Sequence, residues 1–215
     1  MTQTSKTNVN RRLARRIGLV LALGAAALMV APATGMAAKF GSDLKNNDGS
    51  VTQPANSVPA HYCDPIPGDP CTRVAVDFGN TGAAGGNVAA PTDGVIKKIK
   101  LVAGAPGHFR LQLAKVKNLA LGPGTGKAKV VEQGPRIDYG SSVNGLDYEI
   151  QKFQVHVPVH QGEYLAIKSK RTSALKCTSG STEQLLFQPP LALGGSFQWN
   201  DDDDSCTMLL QAVIE

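Results

Sequence analysis

Between Phe153 and His160 the chain alternates: Phe153, Val155, Val157 and Val159 are apolar, while Gln154, His156, Pro158 and His160 are not. A period of two puts four apolar side chains on one side of an extended segment and leaves the other side to water, which predicts a half-buried strand. Pro158 has no amide hydrogen to donate, so the strand is expected at a sheet edge, or paired on one side only there. Gln161-Gly162-Glu163 turns the chain into a second strand, Tyr164 to Lys168. Upstream, Phe109, Leu111 and Leu113 alternate with Arg110, Gln112 and Ala114. Val95 to Val102 follows the turn pair Asp93-Gly94 and ends at Gly104-Ala105-Pro106-Gly107. Both runs read as strands bounded by breakers. Lys129 to Val131, Arg136 to Tyr139, Leu185 to Phe187 and Phe197 to Trp199 are shorter candidates, and Thr207 to Ile214 closes the series.

Residues 39–91 are different. Asn46-Asn47-Asp48-Gly49 and Gly82-Ala83-Ala84-Gly85-Gly86-Asn87 are turn and loop signals around a single short strand, Thr72 to Phe78. This segment reads as a covering or edge piece of the domain whose core is residues 92–215. No window of ten mature residues has helical periodicity and no tandem repeat is present. Short strands separated by Gly/Pro turns predict an all-β protein, an antiparallel β-sandwich of the jelly-roll kind.

Residues 1–38 stand apart from that pattern. Lys6, Arg11, Arg12, Arg15 and Arg16 precede an uninterrupted apolar run, Ile17 to Val30, which gives way to small residues up to Ala38. Positive charge, apolar run and small-residue exit are the order of a secretory signal peptide, with cleavage after Ala38 or, second, after Ala33. The run has 14 residues, short of the ~20 that span a bilayer; a retained anchor is the alternative. Arg15-Arg16 leaves twin-arginine export open, although Ile17-Gly18-Leu19 follows it poorly. Cleavage also changes the charge. The chain has 22 Lys+Arg and 17 Asp+Glu, and losing five basic residues leaves 17 of each sign. The hint of nucleic acid or an anionic membrane surface in a basic chain therefore disappears. No second apolar stretch is long enough to span a membrane.

All four cysteines lie beyond the signal, as expected for disulfides in an oxidising compartment. Three pairings are possible. Local closure favours Cys63 with Cys71, around a loop holding three prolines, and Cys177 with Cys206. On the chain-entropy model these contribute about 2.5 and 3.5 kcal/mol. A zinc site is the rival, against which stands the lack of paired short spacings; no cofactor is expected.

Candidate chemistry is sparse. His156 and His160 would lie about 13 Å apart on a strand, too far for one ion. Gly140-Ser141-Ser142-Val143-Asn144-Gly145 is not a nucleophile elbow, and Asp147 and Glu149 are two apart on a surface. Asn200 to Asp204 carries four consecutive carboxylates, read as a solvated hairpin tip; Asp201 and Asp203 are the weak candidates for calcium, since neighbours on extended backbone point to opposite sides. Phe197 and Trp199 share one side of a strand and form either part of the core or a flat ligand platform, such as sugar-binding sandwiches use.

Asp93-Gly94-Val95-Ile96, Val157 through Leu165, and Leu186-Phe187-Gln188-Pro189-Pro190-Leu191 with Cys206 resemble secreted bacterial β-sandwich proteins of uncharacterised function. The resemblance covers Pro91 to Glu215 and implies a jelly-roll-like sandwich with no assigned catalytic residue. Residues and resemblance together lead to an expected secreted, non-catalytic protein with a binding or envelope role, its partner a surface glycan or protein. A carbohydrate-binding module is one alternative. A small hydrolase combining His108, His156 or Ser141 with a carboxylate is the other.

Overall fold

The computed structural model describes residues 37–44, 57–59, 70–76, 87–119, 124–144, 147–170 and 175–215. Side chains at 57–59, 143–144, 147, 176–183 and 204–206 fall outside the description, as do Cys63 and the expected signal up to residue 36. Fourteen strands follow in order: β1 (Ala38–Gly41), β2 (Ser57–Pro59), β3 (Cys71–Ala75), β4 (Gly94–Leu101), β5 (Gly107–Lys117), β6 (Lys127–Tyr139), β7 (Val143–Asn144), β8 (Asp147–Tyr148), β9 (Gln151–Val159), β10 (Tyr164–Ser169), β11 (Lys176–Phe187), β12 (Gln198–Trp199), β13 (Asp202–Met208) and β14 (Leu210–Ile214). No helix occurs among the described residues.

The strands form two main antiparallel sheets. Four of them lie in the order β1-β14-β4-β9; the larger sheet runs β12-β6-β5-β10-β3-β11-β13, with β2 added on β11, and β7-β8 is a small ribbon. As Pro158 requires, β9 is an edge strand, and its alternating positions are exposed while Val157 and Val159 are buried. Phe40, Ile96, Ile99 and Leu101 of the four-stranded sheet join Phe109, Leu111, Leu113, Leu165 and Ile167 of the larger sheet in one core.

The larger sheet curls, and its second face has an apolar core of its own: Val74, Ala114, Ala128, Val130, Ala166, Leu185, Phe187 and Leu191. This corrects the reading of β5, in which Gln112 and Ala114 were expected on an outer face. Both are buried, and only Arg110 of that set is exposed. Gln112 takes a hydrogen bond through Oε1 from the Thr72 hydroxyl (3.2 Å), and that hydroxyl accepts one from the Leu191 amide (3.1 Å). Gln112 Oε1 and the Thr72 hydroxyl are thereby paired, while Gln112 Nε2 is buried without a hydrogen-bond partner.

Three further expectations change. The strand within residues 39–91 is not an edge piece, because β3 lies between β10 and β11. Lys129 to Val131 and Arg136 to Tyr139 are one strand, β6, carried across Gly134-Pro135 by irregular pairing with β5. A bulge absorbs the missing proline donor. A Cβ on Gly134 would lie 2.9 Å from Val157 Cγ2 and 3.2 Å from Leu111 Cβ, so the two sheets approach each other closely there. The acidic run is not a hairpin tip either. Asp202, Asp203 and Asp204 open β13 and face Leu186, Leu185 and Gln184 of β11.

Candidate functional site

The widest departure from ordinary burial is at the β12 edge. Trp199 is 49% exposed and Leu193 53% exposed, the two large apolar side chains left in water among the described residues. Trp199 is therefore not a core residue; Phe197 is half-buried beside it. Asn200 fixes the ring-bearing segment. It is buried, its Oδ1 accepts from the Gly126 amide (2.9 Å), its Nδ2 donates to the Asp202 carbonyl (3.1 Å), and its own amide donates to the Gly126 carbonyl (2.9 Å). On the other flank, Gly194 donates to the Val130 carbonyl (3.0 Å).

Beside the rings lie lysines. Trp199 is opposite Lys127 in register, and Lys127 is opposite Lys117; one row along, Lys129 is opposite Lys115. The Lys127 ammonium sits 3.9 Å from the Trp199 ring centroid, while those of Lys117 and Lys129 lie 4.5 and 5.2 Å from the Phe197 ring. These are cation–π distances. Sequence reasoning singled out Phe197 and Trp199 but missed the lysines. Their signal was present as Lys115-Val116-Lys117 and Lys127-Ala128-Lys129, two alternating triplets whose registry only the fold supplies.

A second lysine group occupies the four-stranded sheet. Burial, together with the nearby ammonium groups of Lys39, Lys152 and Lys98, pushes Lys100 below the ordinary lysine pKa. No large aromatic side chain accompanies it in the register, where Lys100 faces Gln211 on one side and Lys152 on the other.

The remaining candidates are not brought together. His156 is exposed and its Nδ1 lies 3.1 Å from Lys97 Nζ, whereas His160 Nδ1 is 3.6 Å from Asp93 Oδ1. His108 stands opposite Asp138, but that carboxylate takes two hydrogen bonds from Arg136, at 2.9 and 2.7 Å. The Arg136 bonds hold Asp138 below the usual carboxylate range, with smaller help from the charge on His108. The Ser142 hydroxyl is buried and accepts from the Ala103 amide and from Gln151, and Ser141 is exposed with its hydroxyl 3.4 Å from the Gly104 carbonyl. Both serines therefore serve the β6–β9 connection. Asp201 Oδ2 accepts from the Gln188 amide (2.6 Å), and the Asp203 amide donates to Asp202 Oδ1 (2.9 Å). Among the described residues no group of three or more His, Cys, Asp or Glu side chains is placed to hold a metal ion.

Cys71 is fully buried in β3 and is not a free thiol. Cys177 faces Met208, and Cys206 faces Ser179, so the two cysteines lie on neighbouring strands two residues off direct opposition. No helix in the described residues is long and apolar enough to cross a membrane. No protein-family model matches the sequence, and the comparisons with curated proteins and with solved structures found no match either.

Proposed function

We propose that the chain is an exported, non-catalytic binding protein, a jelly-roll-like sandwich that presents Phe197 and Trp199 as a platform for carbohydrate. The observation that carries this reading is the exposure of Trp199, 49%, on a segment whose next residue is buried and hydrogen-bonded. Leaving an indole half in water forgoes apolar burial of order 1.5 kcal/mol or more, and a rigid flat ring at an edge strand suits stacking against sugar rings. The experiment is retention of residues 39–215 on a panel of insoluble polysaccharides. Aromatic contacts of this kind are worth about 1 kcal/mol each, so Trp199→Ala is expected to weaken retention several-fold. Failure of the unaltered protein to bind any polysaccharide would sink the proposal.

The same reading includes two disulfides, Cys63–Cys71 and Cys177–Cys206. The other two pairings both require Cys71 to reach Cys177 or Cys206. In register Thr72 is opposite Phe187, which places Cys71 beside position 188. Leu186 is opposite Asp202, so position 188 lies level with position 200, and six to eight residues of β13 separate it from the rows of Cys206 and Cys177, about 20–26 Å at ~3.3 Å per residue. Peptide mapping without reduction is expected to find the two local bridges; a linked Cys71–Cys177 peptide would refute the assignment.

A further inference from the structure

We infer that the ligand of the Phe197–Trp199 face is an acidic polysaccharide, its carboxylate groups held by Lys117, Lys127 and Lys129. This rests on the carbohydrate-binding reading and narrows it to one class of sugar chain.

The argument begins with what the lysines cost. Like charges directly opposite each other on neighbouring strands are destabilising. Here the register repeats that arrangement twice in succession, Lys117 against Lys127 and Lys115 against Lys129. Lys115 has a carboxylate nearby, Glu163 at 3.9 Å. Lys117, Lys127 and Lys129 have no ion-pair partner among the described residues; what accompanies them is the two rings. The folded chain thus holds three positive charges together and leaves them open to an anion.

Geometry then limits the anion. Strands lie about 4.8 Å apart and successive same-face residues about 6.6 Å apart. The rings and ammonium groups consequently form a small grid, aromatic along the β12 edge and cationic on the two strands behind it. A sugar chain lying along β12 stacks on Phe197 and Trp199, and acidic groups projecting from its rings fall over the lysine rows. A neutral chain uses the aromatic edge alone. Single-stranded nucleic acid also combines aromatics with basic residues, but the overall charge disfavours it. The chain without residues 1–38 has as many acidic as basic residues, unlike the strongly basic domains that follow a phosphate backbone.

The test measures binding of residues 39–215 to polygalacturonate, to a neutral soluble glucan and to a thymidine oligonucleotide, by calorimetry at low and moderate salt. Polygalacturonate is expected to bind at least tenfold more tightly than the neutral glucan, with affinity falling as salt rises. Replacing Lys117, Lys127 and Lys129 together by glutamine is expected to abolish that preference. Replacing Lys98, Lys100 and Lys152 by glutamine on the other sheet is expected to leave it intact. Circular dichroism and melting of each variant check the fold, and the salt dependence of the unaltered protein tests the idea without any variant. Equal binding of acidic and neutral chains, or an acid preference that survives the Lys117/Lys127/Lys129 change, overturns the inference while leaving the carbohydrate reading standing. Tighter binding of the oligonucleotide overturns it in favour of nucleic acid. Binding to no polysaccharide removes both.

Discussion

Gly41→Ala is expected to lower the unfolding free energy by about 2–5 kcal/mol, a large share of the ~5–15 kcal/mol that holds a domain together. Two costs combine. Gly41 has φ near 90°, where an L side chain is strained by roughly 1–2 kcal/mol. A Cβ there would also fall 2.5 Å from the Leu210 carbonyl oxygen and 2.8 Å from Leu165 Cδ1. The carbonyl cannot retreat freely, because the Ser42 amide donates to it at 2.8 Å. Forcing a methyl into a packed site costs a further ~1–3 kcal/mol. Gly124→Ala supplies the comparison: its φ is also positive, 69°, but nothing lies within 4 Å of the added carbon. Urea unfolding is expected to show Gly41→Ala losing clearly more than Gly124→Ala. Equal losses would mean that β1 is not packed against Leu210 as described.

The second large effect concerns the two cores. Phe109 is fully buried between the sheets, its ring 5.9 Å from that of Tyr139, while Phe187 is buried on the opposite face of the larger sheet. Truncating either to alanine removes the transfer free energy of a ring and leaves a cavity, about 3–5 kcal/mol. Since the two side chains belong to different clusters, the losses are expected to add, as they do for sites without shared partners. Each single variant is therefore expected to fold with a lowered denaturation midpoint, and the double variant to be largely unfolded at 25 °C. A double variant no less stable than the worse single one would show that the two clusters are one cooperative unit.

How much of this was legible depends on where water lies. β9 was read nearly to the residue, because one of its faces is solvated and alternation survives in the sequence. For β5 the alternation was seen but its outer face was misread, since Gln112 and Ala114 are covered by the curl of the sheet and look, in sequence, like surface positions. Gly134-Pro135 separates two short strand candidates in the sequence, yet a bulge preserves pairing on both sides of it. The run Asp201 to Asp204 looks in sequence like a solvated tip, whereas pairing with β11 decides the conformation of Asp202 to Asp204. At the site, the aromatic pair was legible as alternation within a short strand. The lysines were not, because cross-strand neighbours such as Lys117 and Lys127 are distant in sequence and only register makes them adjacent.

The position of β1 has a consequence for how the protein is made. Ala38 pairs with Ile214 and Gly41 with Gln211, so the first strand of the described domain is held by the last. A ribosome releases β1 well before β14. The four-stranded sheet cannot close before β14 has been made, because β14 separates β1 from β4. Non-local pairing of this kind is slow to form. Loss of Leu210–Ile214 alone would strip two strands from the sheet rather than one, because β1 pairs with β14.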